Sequence, residues 1–298
     1  MVHIEKVEEG MRLDQFMMGV LSLSRSKVQS MIKENQILVN DCPSKNGYQL
    51  KANDQISYEP FVEKEMKLIP EKLDFEIVYE DNDVIVVNKP NGMVVHPAVG
   101  NFTGTLVNGL LYHSKELSDI NGEFRPGIVH RIDAFTTGLL VVAKNNRAHE
   151  FLAHQLEEHS IHRKYEALVW GVIEEDSATI KAPIGRDLKD RKKMAVTSIH
   201  SKEAITHLKV LKRMKHATLI ECVLETGRTH QIRVHLNYIG HPVVNDPIYG
   251  NRKPINDTGQ CLHAKELGFI HPTTKEYMEF HADLPTEFLE ILEKFENE

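Results

Sequence analysis

The spacing of apolar residues divides the chain into a short N-terminal region and a longer one. In the short region, apolar residues at helical spacing predict a helix over Met11–Leu21 and a second helix that Ser24 or Ser26 can cap. Short strands follow, separated by turns rich in Gly, Asn and Asp. Residues 59–72, rich in charge and proline, are predicted to be a linker. We therefore expect a small domain with its linker at residues 11–72 and a larger domain at residues 73–298.

The longer region mixes β-branched strands with helices and shows no strict alternation between them. Strands are predicted at residues 75–79, 83–88, 164–170, 206–211, 217–225 and 260–262, and helices at residues 104–113 and 147–158. This order is typical of an α+β domain on a largely antiparallel or mixed sheet.

Composition places the chain among ordinary globular proteins. Of its 298 residues, 41% are hydrophobic and 27% are charged. Its apolar runs fall short of the about 20 residues that cross a bilayer, and the acidic start of the chain does not resemble a secretory signal. Its three cysteines form no CxxC pair, which argues against a disulfide framework and a zinc finger. We expect a cytoplasmic monomer without a membrane partner.

Positive charge is concentrated locally although the net charge is −7. Residues 181–215 contain eleven Lys and Arg against three acidic residues, and residues 24–33 contain three basic residues and no acid. Such patches are typical of RNA-binding proteins, but two solvated faces would explain them equally well.

Three segments combine polar side chains with apolar runs, and each has a structural alternative. Residues 127–133 end an apolar run, predicted to be a strand, with His130, Arg131 and Asp133; they could form an active-site turn or a structural Arg–Asp pair. In residues 226–236, Arg228 and Arg233 need anions, which could be RNA phosphates or a carboxylate such as Asp133; a basic surface helix is the alternative. Residues 88–97 predict a hairpin, in which Lys89 and His96 could line a cleft; a plain structural hairpin explains the segment equally well.

Together these segments resemble the RluA/RluD-type pseudouridine synthases, and the RluD branch in particular. The family motif His-Arg-Leu-Asp, followed by Thr-Ser/Thr-Gly-Leu-Leu, has its counterpart in residues 130–140. Further matching segments occur in family order at residues 89–97, 104–108, 163–167, 226–236 and 262–264. Residues 11–60 resemble the S-four-like RNA-binding module that precedes the catalytic domain in this branch, through Arg12-Leu13-Asp14, Ser24-Arg25-Ser26, Ile32-Lys33 and Ile37-Leu38-Val39-Asn40.

The resemblance implies an enzyme that isomerises specific uridines to pseudouridine in RNA, with large-subunit ribosomal RNA as the expected substrate. No cofactor or metal is expected, because all atoms stay within the substrate. The implied catalytic residues are Asp133 as the essential carboxylate, Arg233 as the cation that keeps it ionised, and Tyr165, which stacks on the uracil. From the residues alone, a half-buried strand aromatic is the favoured interpretation of Tyr165.

The resemblance also implies a set of residues that contact the substrate. Arg131 holds the target nucleotide out of its stack and Leu262 walls the uracil pocket. The other expected RNA contacts are His130, Arg228, Arg25 and Lys33.

One departure and several alternatives accompany this interpretation. Ala134 and Phe135 stand where the RluD branch usually has a basic and an acidic residue, which could alter RNA contacts or rate. A non-catalytic RNA-binding assembly factor would share the basic patches but would tolerate loss of Asp133 or Arg233. A metal-dependent hydrolase would show a motif such as HExxH, which the sequence lacks. Transfer RNA is the alternative substrate.

Overall fold

Separate hydrophobic cores organise the two parts of the chain. The computed structural model describes residues 2–4, 7, 9–61, 68–97, 101–122, 124–190 and 193–297. The chain divides into two units, Met1–Lys67 and Leu68–Glu298. This division falls before the boundary predicted at residue 73 because Leu68 already packs against the core of the second unit. The predicted linker overlaps residues 62–67, which lie outside the described residues.

The first unit packs two helices against a small antiparallel sheet. Its elements are β1 (Val2–Ile4), α1 (Leu13–Leu21), α2 (Arg25–Lys33), β2 (Ile37–Val39), β3 (Cys42–Pro43) and β4 (Ile56–Tyr58). The sheet order is β1-β4-β2-β3. Both helices that apolar spacing predicted are confirmed, with Leu13 and Met17 of α1 and Val28 of α2 in the core. Ser24 is the N-cap residue of α2, but its hydroxyl forms no capping bond.

The second unit carries the remaining elements. Its strands are β5 (Glu76–Glu80), β6 (Val84–Lys89), β7 (Thr137–Ala143), β8 (His162–Trp170), β9 (Ser177–Lys181), β10 (Ile184–Arg186), β11 (Met194–Val196), β12 (Ile205–Arg213), β13 (Ala217–Leu224), β14 (Leu262–Ile270) and β15 (Tyr277–His281). Its helices are α3 (Leu106–His113), α4 (Asn146–Glu157), α5 (Gln231–Tyr238) and α6 (Thr286–Glu296). Among the described residues, no helix combines the length and apolar character that a membrane crossing requires.

A large mixed sheet forms the centre of the second unit. Its order is β5-β6-β7-β14-β8-β13-β12-β9, and β15 also pairs with β14. The β7–β14 pair is parallel, whereas the other neighbouring strands are antiparallel. This confirms the predicted α+β fold on a largely antiparallel, mixed sheet. Strand β14, from late in the sequence, joins the β5-β6-β7 part of the sheet to the β8-β13-β12-β9 part.

The predicted strand before Asp133 was wrong. Residues 127–133 form a loop, in which Ile128 alone bridges to Val142. One edge of β7 is fully paired with β6, and the other is shared with β14. Because the start of that second edge is occupied, the segment turns away from the sheet and becomes free to line a cleft.

The predicted hairpin over residues 88–97 was also wrong. The first strand and the turn at Asn91 form, but residues 93–97 do not form a second strand. The backbone carbonyls of Val94 and Val95 instead accept hydrogen bonds from the first two N–H groups of α3. These N–H groups have no partner within their own helix, so the segment caps α3 and does not pair with β6.

Candidate active site

A cleft of about 530 Å³ opens in the second unit where the loop at residues 129–133 meets β8 and the start of α5. Seven of the residues singled out from the sequence line it: His130, Arg131, Asp133, Tyr165, Arg228, Arg233 and Leu262. Arg25 and Lys33 lie on α2 of the first unit. Lys89 and His96 are both buried and do not line the cleft, contrary to the expectation for that segment.

Asp133 has one oxygen engaged and the other open. Arg233 Nη1 donates a hydrogen bond to Asp133 Oδ2 at 2.7 Å. Asp133 Oδ1 lies 3.8 Å from His230 Nε2 and accepts no hydrogen bond from the described residues. A half-buried carboxylate held in this way keeps one oxygen available to a reacting partner in the cleft.

Arg233 is fixed by a second carboxylate that the sequence analysis missed. Its Nε donates to Asp246 Oδ2 at 2.7 Å and its Nη2 donates to Asp246 Oδ1 at 2.8 Å, a bidentate pair. Burial alone would lower the pKa of Arg233, but the hydrogen bonds that it donates to Asp246 and the charge of Asp133 outweigh burial and raise that pKa above its ordinary value. Arg233 is therefore a permanent cation in a fixed position, and its Nη1 donates to Asp133.

Local backbone structure explains why Arg233 and His230 point toward the same place. His230 adopts a left-handed conformation, φ 56°, immediately before α5. Gln231 Oε1 accepts hydrogen bonds from the Arg228 backbone N–H and from the Thr226 hydroxyl, which fixes the first turn. Residues three apart on a helix lie on one face, so His230 and Arg233 both approach Asp133.

A tyrosine orients His230. Tyr249 Oη accepts a hydrogen bond from the Met194 backbone N–H and lies 2.8 Å from His230 Nδ1. Burial raises the pKa of Tyr249 to about 12 and lowers the pKa of His230. The neutral pair is satisfied when the phenol donates to Nδ1, which leaves the proton on Nε2, the nitrogen that faces Asp133.

Lys89 anchors the loop that carries Asp133. Lys89 Nζ donates hydrogen bonds to the carbonyls of Pro90 and Ala134, each at 2.8 Å. Burial lowers the pKa of Lys89 to about 7. Phe135 packs over Gly259, where an added Cβ would come within 2.4 Å of the Phe135 side chain. At the unusual Ala134-Phe135 pair, Ala134 thus contributes its carbonyl and Phe135 a contact with Gly259, and neither residue lines the cleft.

Tyr165 and Leu262 form the apolar part of the cleft on neighbouring strands. Tyr165 lies on β8, opposite Ala264 of β14, and Leu262 begins β14. Both side chains are buried. Burial raises the pKa of the Tyr165 phenol, so that the hydroxyl stays protonated at neutral pH.

The remaining predicted residues of the cleft have different degrees of exposure. His130 Nε2 accepts a hydrogen bond from the Val141 backbone N–H, and burial lowers the pKa of His130 to about 3, so its ring is a neutral acceptor. Arg131 is exposed. Arg228 is half-buried, and its Nε donates to the Glu203 carbonyl at 2.9 Å.

The basic residues of the first unit have separate surroundings. Arg25 donates two hydrogen bonds to Asp14 Oδ2, at 3.0 and 3.1 Å, while 55% of its side chain stays exposed. Lys33 is exposed in the last turn of α2.

Comparison with known proteins establishes the family. Residues 83–238 match the RNA pseudouridylate synthase family. A Bacillus subtilis protein named as the uncharacterized RNA pseudouridine synthase YlyB is 53% identical over 283 residues, covering 95% of this chain and 93% of its own. A Neisseria meningitidis protein named ribosomal large subunit pseudouridine synthase D is 46% identical over 297 residues, covering 95% of this chain and 78% of its own.

A solved structure agrees with these sequence matches. The human protein named RNA pseudouridylate synthase domain containing 1 superposes with a TM-score of 0.58 at 26% identity, covering 76% of this chain and 96% of that one. The chain belongs to the RNA pseudouridine synthase family. It is an enzyme that isomerises uridine in RNA, and the resemblance found in its sequence motifs is confirmed.

Proposed function

We propose that this enzyme converts specific uridines of large-subunit ribosomal RNA to pseudouridine, with Asp133 as the reactive carboxylate. The observation that carries the proposal is the geometry of Asp133, whose Oδ2 is held by Arg233 at 2.7 Å while Oδ1 faces an open cleft. A nucleophile or general base needs an ionised, accessible oxygen in a fixed position. The Arg233–Asp246 pair supplies the fixed cation that keeps Asp133 ionised.

The apolar wall and the rim of the cleft take complementary roles. Tyr165 stacks on the extruded uracil and Leu262 packs against the base, since both are buried beside Asp133 in one cleft. Because its hydroxyl stays protonated, Tyr165 can accept the proton released from C5 only as it passes its own proton on to solvent. His130 supports the loop beneath the substrate. Arg131 holds the displaced nucleotide.

RNA held outside the cleft meets basic side chains. Arg228, half-buried at the cleft, is placed to contact a phosphate. The first unit serves as an S-four-like RNA-binding module, because its α2 presents Arg25 and Lys33 with no acidic residue between Ser24 and Lys33. Such cations add affinity that depends on salt and little on sequence.

The substrate assignment is supported by relatives whose names specify the large ribosomal subunit, including the Neisseria meningitidis protein. The test is to map pseudouridines chemically in ribosomal and transfer RNA from cells with and without this protein. We expect one or more sites in large-subunit RNA to disappear with the protein and to return when the purified enzyme acts on an unmodified transcript. Sites lost from transfer RNA alone would overturn this assignment.

A further inference from the structure

Arg163 is a buried cation that lacks the counterion its position calls for. Only 7% of it is exposed, and it lines the same cleft as Asp133. Its Nη2 donates to the Glu225 carbonyl at 3.2 Å, and its buried Nε has no hydrogen-bond partner among the described residues. No carboxylate in the described part of the chain forms an ion pair with it. A buried, unpaired guanidinium is costly, so its retention beside a cleft points to a ligand.

The local structure directs this side chain into the cleft. Arg163 and Tyr165 are two residues apart on β8, so both project from the same face of the sheet. Gly227 makes room for the guanidinium, because a Cβ there would come within 2.7 Å of Arg163 Nη1. Lys164, on the opposite face, forms ion pairs with Glu221 and Glu266 instead.

Comparison with the other arginines of the cleft identifies what Arg163 can bind. Arg233 has its donors on Asp133 and Asp246. Arg131 and Arg228 are exposed and half-buried respectively, in places where a solvated phosphate can remain. Arg163 is far more buried than these two and stands beside Tyr165, where the extruded base is expected, so a ring oxygen of the base fits its position better than a phosphate.

We propose that Arg163 stabilises the negative charge that develops on the carbonyl oxygens of uracil while the bond to the sugar is broken. This inference rests on the proposed function of the cleft. When the N1–C1′ bond breaks, its electron pair stays on the ring and spreads over N1, O2 and O4. Asp133 gives up its own negative charge in the same step, by bonding to C1′ or by taking a proton from the ribose. The negative charge thus moves from the carboxylate to the base, where a preorganised guanidinium lowers the barrier.

The second half of the reaction reverses this charge movement. Carbon C5 forms a bond to C1′. In the first route the bond between C1′ and Asp133 breaks, and in the second Asp133 returns its proton to the ribose, so that Asp133 regains its negative charge in either case. The proton on C5 is then lost to a base and N1 gains one, so that atoms and electrons balance without an oxidant or cofactor. The base returns to neutrality, and Arg163 releases it.

The test compares Arg163→Gln, Arg163→Lys and the control Lys164→Gln, which removes a cation from the opposite face of β8. Single-turnover rates at saturating enzyme are measured on large-subunit ribosomal transcripts made with uridine or with 5-fluorouridine. The product is the C-linked nucleoside, separated by chromatography after digestion. From the fluorinated transcript this nucleoside keeps fluorine at C5, because C5 then has no proton to lose, and water adds at C6. Fluorine at C5 stabilises the uracil anion by itself, so it should replace part of what Arg163 supplies.

We expect Arg163→Gln to lower the rate on the uridine transcript by about 10²-fold, with RNA affinity changed less than about threefold. Arg163→Lys should recover part of the rate, and Lys164→Gln should match wild type. On the fluorinated transcript the Arg163→Gln defect should shrink by about tenfold. An equal defect on both transcripts, a defect in affinity alone, or equal impairment by Lys164→Gln would overturn the proposal.

Failure of the substrate assignment would give a result different from failure of the Arg163 proposal. In that case the wild-type enzyme would modify transfer RNA transcripts and leave the ribosomal one unchanged. The same rate ratios, measured on uridine and fluorouridine transfer RNA, would then decide the role of Arg163. Thermal unfolding of Arg163→Gln, compared with Arg163→Lys and wild type, checks that loss of rate does not follow from loss of fold.

Discussion

The two units each contain a cluster of arginines and aspartates, and the clusters are arranged in opposite ways. In the second unit one buried arginine, Arg233, is shared by two carboxylates, those of Asp133 and Asp246. In the first unit one fully buried carboxylate, Asp14, is shared by Arg12, Arg25 and Gln29.

The two arrangements leave different groups available to bind a partner or to react. Asp14 has both oxygens engaged, and the hydrogen bonds from Arg12, ahead of those from Gln29 and Arg25, hold its pKa well below the ordinary range. Its partners are the exposed groups, with 43% of Arg12 and 55% of Arg25 accessible. In the cleft the arginine is held by two carboxylates, and Asp133 keeps one oxygen without a hydrogen bond from the described residues. The first arrangement is suited to holding a fold, and the second to chemistry.

The largest expected effect is at Asp133. Asp133→Asn keeps the shape of the side chain but removes the charge, so pseudouridine formation should fall by at least about 10³-fold. RNA affinity and thermal unfolding should stay close to wild type, because one oxygen of Asp133 is not needed for packing. Single-turnover assays on a ribosomal transcript measure the rate, with Asp257→Asn, an exposed aspartate, as the control. An active Asp133→Asn enzyme would remove Asp133 from the chemistry.

The second largest effect is expected at Asp246. Substituting this residue tests the support of the cleft without changing its reactive carboxylate, Asp133. Asp246→Asn leaves Arg233 with an incomplete partner, so we expect a loss of about 3 kcal/mol in the free energy of unfolding. The rate should fall by about 10²-fold because Arg233 shifts away from Asp133. Denaturant unfolding and single-turnover kinetics are measured together, with Asp257→Asn again as the control. A normal rate would show that Asp133 does not depend on the fixed position of Arg233.

A smaller effect is expected at Asp14, the counterpart in the first unit. Asp14→Asn should destabilise α1 and α2 by about 2 kcal/mol, measured as the free energy of amide opening by hydrogen exchange. The single-turnover rate at saturating RNA should stay near wild type. Asp41→Asn, an exposed change in the same unit, is the control. A large loss of rate at saturation would contradict the division of roles between the two clusters.

Acid should reduce the difference in the stability of α1 between wild type and Asp14→Asn. The pKa of Asp14 is lowered in the folded state, so its stabilisation is fully present above the unfolded value of about 3.9 and is lost as pH falls below it. Hydrogen exchange in α1 at pH 5 and at pH 3 measures this change. A difference that grows toward pH 3 would reverse the expected sign.

The smallest effect is expected at Lys33. If the exposed face of α2 meets RNA phosphates, Lys33→Ala should reduce the slope of log affinity against log salt concentration by about one, with the rate at saturation unchanged. Lys294→Ala, an exposed lysine of α6 in the second unit, is the matched control. Equal slopes for both variants would remove α2 from the RNA interface.

Sequence periodicity predicted most regular elements because their apolar faces are continuous. It failed at residues 127–133, whose apolar residues resemble a strand although β14 occupies the start of the sheet edge beside them. It also left α6 unpredicted, although Phe288, Ile291, Leu292 and Phe295 have helical spacing and are buried.

The residues of the candidate site were likewise predicted only in part. Residue chemistry indicated that Arg233 needs an anion and offered Asp133 as one candidate, and the structure places the two in contact. Asp246 was missed because it lies in an irregular loop, where nothing periodic marks a partner for Arg233. Arg163 carried a usable signal that went unnoticed: strand alternation puts it on the same face as Tyr165.

The position of β14 has a consequence for how an active molecule is made. The ribosome synthesises Asp133 and Tyr165 long before it reaches Leu262, yet β14 is the strand that pairs with both β7 and β8. Until that strand has left the exit tunnel, the two parts of the sheet are not joined side by side. A nascent chain stalled before residue 262 should therefore be inert toward RNA isomerisation, and activity should appear late in translation, as a single step.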